Sequence, residues 1–171
     1  MYIEPLSYRT LDEAINLVNK VFLNQNLFEK ASWAFRLSLK KSVIAKIVLW
    51  VVGVTEVRYW VAIDGDSSKV IGTTGLYSYK KDRNEAYWLG WTCVSSMDRG
   101  KGIGSKLVDF SIEKAQLEGK KFLRLYTSTD PTRATARILY QKRGFRLIGE
   151  QKRWRSQFKK LYLELELSAA L

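Results

Sequence analysis

The 171-residue chain contains no histidine and a single cysteine, Cys93. The first absence removes the imidazole bases of Ser-His-Asp and Cys-His chemistry, together with the commonest metal ligand. The second excludes a disulfide framework and a four-ligand cysteine zinc site. No metal centre is expected. Proline is scarce too, at positions 5 and 131 only, and no repeat, low-complexity tract or linker divides the chain. That length without a break predicts one domain over residues 1–171. Any catalysis must draw on carboxylates, tyrosine, lysine, water or the backbone.

Long apolar runs are missing as well. The longest, VIAKIVLWVVGV at Val43–Val54, carries Lys46 and falls short of the roughly 20 residues that a membrane-spanning helix needs. It reads as a buried helix end or strand, with a membrane-surface role the lesser reading. MYIEPLSYRT lacks the apolar segment of a signal peptide. The expectation is a cytoplasmic protein.

Acidic residues thin out along the chain. Residues 1–98 carry 12 basic and 10 acidic side chains, whereas residues 99–160 carry 17 basic and 5 acidic. The net charge of +12 therefore accumulates downstream of position 98. A solubilising surface accounts for this, and so does an anionic partner held by the second half.

What the sequence does contain is periodic. Apolar residues recur at helical spacing over Leu11–Phe22, with Thr10 as the candidate N-cap, and a second helix is predicted over Leu27–Lys41. Glu56–Ile63, Lys69–Tyr79 and Ala86–Val94 have the branched and aromatic character of strands and are separated by DGDSS and KDRNE turns. A helix from Ile103 closed by Gly119, a strand at Phe122–Tyr126, a helix at Thr132–Arg143 and strands at Phe145–Gly149 and Lys160–Leu167 follow. The fold class is α/β, in the order βααβββαβαββ, with a mixed sheet. Ala86–Tyr126 forms one βαβ crossover, which makes its two strands parallel.

The unusual stretch is RGKGIGSK, Arg99–Lys106, between a strand and an amphipathic helix. The first amides of a helix lack internal partners and that end is electropositive, so glycines there admit a phosphate to the bare N–H groups. Arg99, Lys101 and Lys106 add cations. A flexible turn ahead of a helix is the plain alternative. The spacing fails the P-loop pattern GxxxxGK[ST], and the dinucleotide pattern GxGxxG fails at Ser105.

At these residues the chain resembles the GNAT superfamily of acetyl-CoA-dependent N-acetyltransferases. Arg99, Gly102 and Gly104 match the signature (Q/R)xxGx(G/A). The strand end TCV, the spacer SSMD and ATARILYQKRGF (Ala134–Phe145) extend the likeness, and the element order fits a mostly antiparallel sheet flanked by helices. The resemblance implies that acetyl-CoA is the acyl donor. Its pyrophosphate would lie on the backbone of Arg99, Gly100, Lys101, Gly102, Ile103, Gly104 and Ser105, and its pantetheine arm would run along Thr92, Cys93 and Val94 as an added strand. A strand bulge that splays the fourth and fifth strands makes room for that arm in the family.

Tyr140 stands where the family carries its general acid, and Ala136, Leu139 and Tyr140 also share a helical face that suits plain core packing. Arg133 replaces a common asparagine and either meets CoA phosphate or faces solvent. Trp88 occupies the position of the glutamate base of some members, so no base is assigned, and Glu85 reads as a solvated turn charge. Cys93 reads as a small buried strand residue. Trp33, Phe35, Tyr59, Trp60, Trp88 and Trp154 are candidates for an acceptor pocket or for core. The acceptor expected is a small-molecule or peptide amine, with a homodimer left open and nucleic acid and membrane not expected as partners. Two other readings stay open: an acyl-CoA-binding sensor of the same fold, and a nucleic-acid module using KRWRSQFKK (Lys152–Lys160).

Overall fold

Leu11, Ala14, Ile15 and Val18 are all buried on one side of α1 (Leu11–Val21), as their spacing requires. The computed structural model describes residues 1–22, 31–40, 42–152 and 156–168. After β1 (Tyr2–Pro5) and α1 come α2 (Ala31–Leu39), α3 (Val43–Val51), β2 (Val54–Ile63), β3 (Val70–Tyr79), β4 (Ala86–Val94), α4 (Ile103–Leu117), β5 (Phe122–Ser128), α5 (Ala134–Lys142), β6 (Arg146–Lys152) and β7 (Lys159–Glu166). Residues 27–30 and 41 of the second predicted helix lie outside the described residues.

The strands form one seven-stranded sheet in the order β1-β2-β3-β4-β5-β7-β6. All neighbours pair antiparallel except β4 and β5, which are parallel, as the crossover predicts. This is the expected mixed α/β sheet, with one helix more than the predicted order. Two cores flank it. On one face α1 and α2 cover Tyr59, Val61, Ile63 and Cys93. On the other, Val108 and Ala115 of α4 and Tyr140 of α5 pack on Leu123, Leu125 and Leu163. The alternating leucines of β7 supply Leu163 and Leu165 to that second core, and Leu167 just beyond the strand joins them.

The extra helix is the apolar run at Val43. Ser42 caps it by accepting the Ala45 N–H at 3.2 Å, which fixes a helix start where the composition alone favoured no one state. The expectation of burial is overturned: Ala45 is buried, but Val43, Ile44, Ile47, Val48, Trp50 and Val51 are exposed. The sheet face they would have covered is already taken by α1 and α2. Thr10 stands at the start of α1, yet its hydroxyl turns back to Ser7 instead of capping the helix.

Candidate active site

The site begins with a fault in β4. Thr73 pairs with Cys93 and Gly75 with Gly90, so one residue of β3 faces two of β4. The surplus is absorbed at Trp91, whose φ of 39° lies in the left-handed region that a bulky residue rarely enters. Packing holds it there. Its ring meets Phe22 edge-on at 5.2 Å, and Thr73 Oγ1 donates to its carbonyl at 2.6 Å.

The bulge turns β4 away from β5. Parallel pairing covers Ala86↔Phe122, Tyr87↔Leu123 and Trp88↔Arg124 and then stops. Both strands continue, β4 to Val94 and β5 to Ser128. A V therefore opens between them, and among the described residues the β5-facing main chain of β4 beyond Trp88 has no strand partner across it. Thr92, Cys93 and Val94 lie on the diverging arm. Thr92 Oγ1 is fixed at 2.9 Å from Thr74 Oγ1, which also meets Ser111 Oγ of α4 at 2.9 Å.

The glycine turn closes the end of this V. Gly100 and Gly102 have φ of 78° and 79°, and a Cβ added at either would meet nothing within 4 Å. The turn thus demands glycine for its left-handed backbone, while the space beside it is open. The first helical bond of α4 runs from Lys106 N–H to Gly102 O, which leaves the N–H groups of Ile103, Gly104 and Ser105 without helical partners. A Cβ at Gly104 would lie 3.7 Å from both Val94 Cγ2 and Leu139 Cδ2, so the turn, the end of β4 and α5 converge there. Arg99 is exposed beside them. Lys101 is tied to Asp98 at 2.8 Å, an ion pair that braces the turn and raises the lysine pKa.

Tyr140 sits next to Leu139 on α5, buried, with its ring edge-on to Phe145 at 5.7 Å. Burial pushes its phenol up to about 12, against the opposing pull of Arg133. Its carbonyl accepts from the N–H groups of Arg143 and Phe145 at 3.0 and 3.1 Å, while its phenol makes no hydrogen bond to another described residue. Cys93 is buried with Sγ 3.4 Å from Thr73 Oγ1, and burial pushes its thiol up to about 11. That suits a packing residue and not a nucleophile. Arg133 stacks its guanidinium 4.3 Å above the Phe22 ring.

On the same sheet face as Tyr59 and Cys93, away from Tyr140, lies a cavity of about 430 Å³ lined by Gly53, Tyr79, Lys80, Lys81, Trp88, Tyr126, Lys160 and Tyr162. Of the five described aromatics expected around an acceptor, only Trp88 lines it. Phe35 and Tyr59 pack together at 4.5 Å in the core, Trp60 packs on Phe110 on the other face, Trp33 is exposed, and Trp154 lies outside the described residues. Tyr79, Tyr126 and Tyr162 take their place. Tyr126 and Tyr162 are opposite each other on β5 and β7, a register that no local pattern displays.

Trp88 is locked from behind. Its Nε1 donates to Asp82 Oδ2 at 2.8 Å, and Arg124 gathers Asp82, Glu85 and Glu164 at 3.1, 3.2 and 2.7 Å. Glu85 is therefore an ion-pair partner and not simply a solvated turn charge. Part of the downstream cation surplus is likewise structural: Arg143 grips Asp109 with two bonds, and Arg137 donates to the carbonyls of Ser128 and Asp130.

The likeness to known proteins agrees with this geometry. Residues 55–147 match the family model described as an acetyltransferase (GNAT) domain. No curated protein matches the chain. Among solved structures it is similar to an N-acetyltransferase from Staphylococcus aureus Mu50, with 17% identity, TM-score 0.70 and 98% of each chain covered. It is also similar to a chain of the NatC complex bound to Gag peptide and CoA (21% identity, TM-score 0.71, 98% of each chain). A third is Arabidopsis thaliana NAA60 in complex with a bisubstrate analogue (14% identity, TM-score 0.72, 99% of each chain). The matched segment spans more than half of the chain and includes the bulged strand, the glycine turn and Tyr140, and on that ground the chain belongs to the GNAT acetyltransferase family.

Proposed function

We propose that the chain transfers an acetyl group from acetyl-CoA directly to a primary amine. The observation that carries this reading is the V between β4 and β5, opened by the bulge at Trp91 and ending on the bare amides of Ile103, Gly104 and Ser105. Acetyl-CoA as substrate supplies a thioester. In this reading the glycine turn from Arg99 to Ser105 holds the pyrophosphate, with Arg99, Lys101 and Arg133 as countercharges. The main chain of Thr92, Cys93 and Val94 holds the pantetheine arm, and a main-chain N–H near Val94 polarises the thioester carbonyl. The amine nitrogen bonds to the acetyl carbon, the C–S bond breaks, Tyr140 gives its proton to the departing sulfur, and the proton shed by the nitrogen passes through water to restore the phenol.

No carboxylate stands at the Trp88 position, and the amine must arrive neutral by another route. Lys80, Lys81 and Lys160 line the aromatic cavity. Their charge disfavours an ammonium ion there and so lowers the pKa of a bound amine. The same charge selects an acceptor that carries an anionic group near its amine over a polyamine. A cytoplasmic location suits such an enzyme.

Thiol release from acetyl-CoA with a panel of amines tests this. An acidic amino acid or acidic-tailed peptide should turn over at least about tenfold faster than spermidine, a difference of about 1.4 kcal/mol. A faster polyamine would reverse the acceptor assignment. Trp88 at the base position favours one second reading, an acyl-CoA-binding protein without turnover. Stabilisation by acetyl-CoA with no thiol release from any amine would select it, and stabilisation by oligonucleotides alone would reject both.

A further inference from the structure

Helix α3 presents an exposed apolar surface that no other described residue buries. Val43, Ile44, Ile47, Val48 and Val51 are exposed, Ile44 by 73%, and Trp50 by 64%. At about 100° per residue these positions sweep an arc of roughly 160°, while Ala45 faces the protein. A convex apolar ridge of this width fits a fluid medium better than a matched groove.

The charges that flank it in sequence have one sign, although Arg36 among them pairs with Asp12 at 3.7 Å. Between Glu29 and Glu56 the sequence holds Lys30, Arg36, Lys40, Lys41 and Lys46 and no acid. At the far end of α3, Lys80 sits with Nζ 3.4 Å over the Trp50 ring and its N–H bonded to Gly53 O. Lys81 next to it is exposed. The neighbouring acid, Asp82, is turned inward to Arg124 and Trp88. Apolar residues, an interfacial tryptophan and flanking lysines form a combination that binds the headgroup boundary of a bilayer.

We infer that α3 docks the protein on an anionic lipid surface. Nine residues at 1.5 Å each reach about 14 Å, under half of the roughly 30 Å hydrocarbon core, so the helix lies along the surface and does not cross it. A second copy is the poorer occupant, because a two-fold contact through α3 sets this cation-only segment against itself. Gly53, Lys80 and Lys81 belong both to the foot of α3 and to the aromatic cavity. Docking therefore holds the cavity close to the headgroups. The inference stands apart from acyl transfer and is tested without turnover.

The test is co-sedimentation of the full chain with vesicles of phosphatidylcholine alone and of phosphatidylcholine with phosphatidylglycerol. The chain should pellet with the anionic vesicles in about 0.1 M NaCl and keep part of that binding in about 0.5 M, where exposed charges are screened but apolar contact is not. Ile44→Ser/Ile47→Ser should lower the partition coefficient at least about tenfold with unchanged thermal unfolding, both residues being exposed. Lys142→Glu/Arg146→Glu, remote from α3 in the sequence and also exposed, should retain the salt-resistant binding and so separates α3 from general basicity. The inference is overturned if the chain stays in the supernatant, or if the Ile44/Ile47 variant pellets like the parent. A dimer by analytical ultracentrifugation that this variant converts to monomer also overturns it, and assigns the ridge to self-association.

Discussion

Trp88 on β4 and Arg124 on β5 form the last parallel pair between their strands, and both are fastened to Asp82, the indole at 2.8 Å and the guanidinium at 3.1 Å. The hinge of the V is thus an ionic knot. Arg124 is only 15% exposed and serves three carboxylates at once. Arg124→Met should leave Asp82 and Glu164 largely buried without their cation, at a cost of about 3 kcal/mol. For a chain of this size the midpoint of thermal unfolding should fall by roughly 6–12 °C. A drop of a degree or less in calorimetry would show that the knot is ornamental.

The glycine turn makes a sharper demand on backbone than on space. Gly102→Ala meets no atom within 4 Å but must hold φ at 79°. The left-handed penalty is about 1–2 kcal/mol, and the turn should relax away from its present backbone form. Acetyl-CoA affinity should weaken by about tenfold in calorimetric titration, a loss of about 1.4 kcal/mol. An unchanged dissociation constant would mean that the amides of this turn do not hold the cofactor.

Tyr140 makes two predictions with opposite readouts. As an acid pushed up to about 12 it stays protonated through the neutral range, so kcat should show no alkaline decline from this group below about pH 10. Tyr140→Phe should lower kcat by about 10²-fold, with acetyl-CoA affinity nearly intact. For stability, a folded pKa above the unfolded value of about 10 gives a contribution present below pH 10 and lost as pH rises towards 12. The phenylalanine variant should lose less stability than the parent across that window in alkaline denaturation. Equal turnover by the two proteins would remove Tyr140 from the chemistry.

Cys93 offers a probe of burial. With its thiol pushed up to about 11 and its sulfur 3.4 Å from Thr73 Oγ1, the thiolate is scarce at neutral pH. Iodoacetamide should alkylate the native protein at least about tenfold more slowly than the urea-unfolded chain. Comparable rates, followed by mass spectrometry, would contradict the packing around β4.

Much of the site is written locally. The turn from Arg99 to Ser105 needs left-handed residues and supplies glycines at Gly100 and Gly102, and the helix after it follows from apolar spacing. The run from Ala134 to Phe145 likewise carries its own helix and its closing glycine. These features depend on neighbours in the chain, and neighbours are what a sequence displays. From them follow the parallel β4–β5 pair, the mixed sheet and the position of Tyr140.

Other features needed the whole fold. Trp91 enters the left-handed region only because Phe22 and Thr73, distant in sequence, hold it there. The aromatic cavity exists because the β5–β7 register sets Tyr126 against Tyr162. Glu85 is a turn charge in sequence and an ion-pair partner in space, since Arg124 arrives from another strand. For α3, apolar composition argued burial, and the outcome turned on which helices had already covered the sheet. The sequence alone determined most of the elements and the left-handed glycine turn. Tertiary structure decided which side chains meet and which apolar surface is left over, because both depend on competition among distant segments for the same two sheet faces.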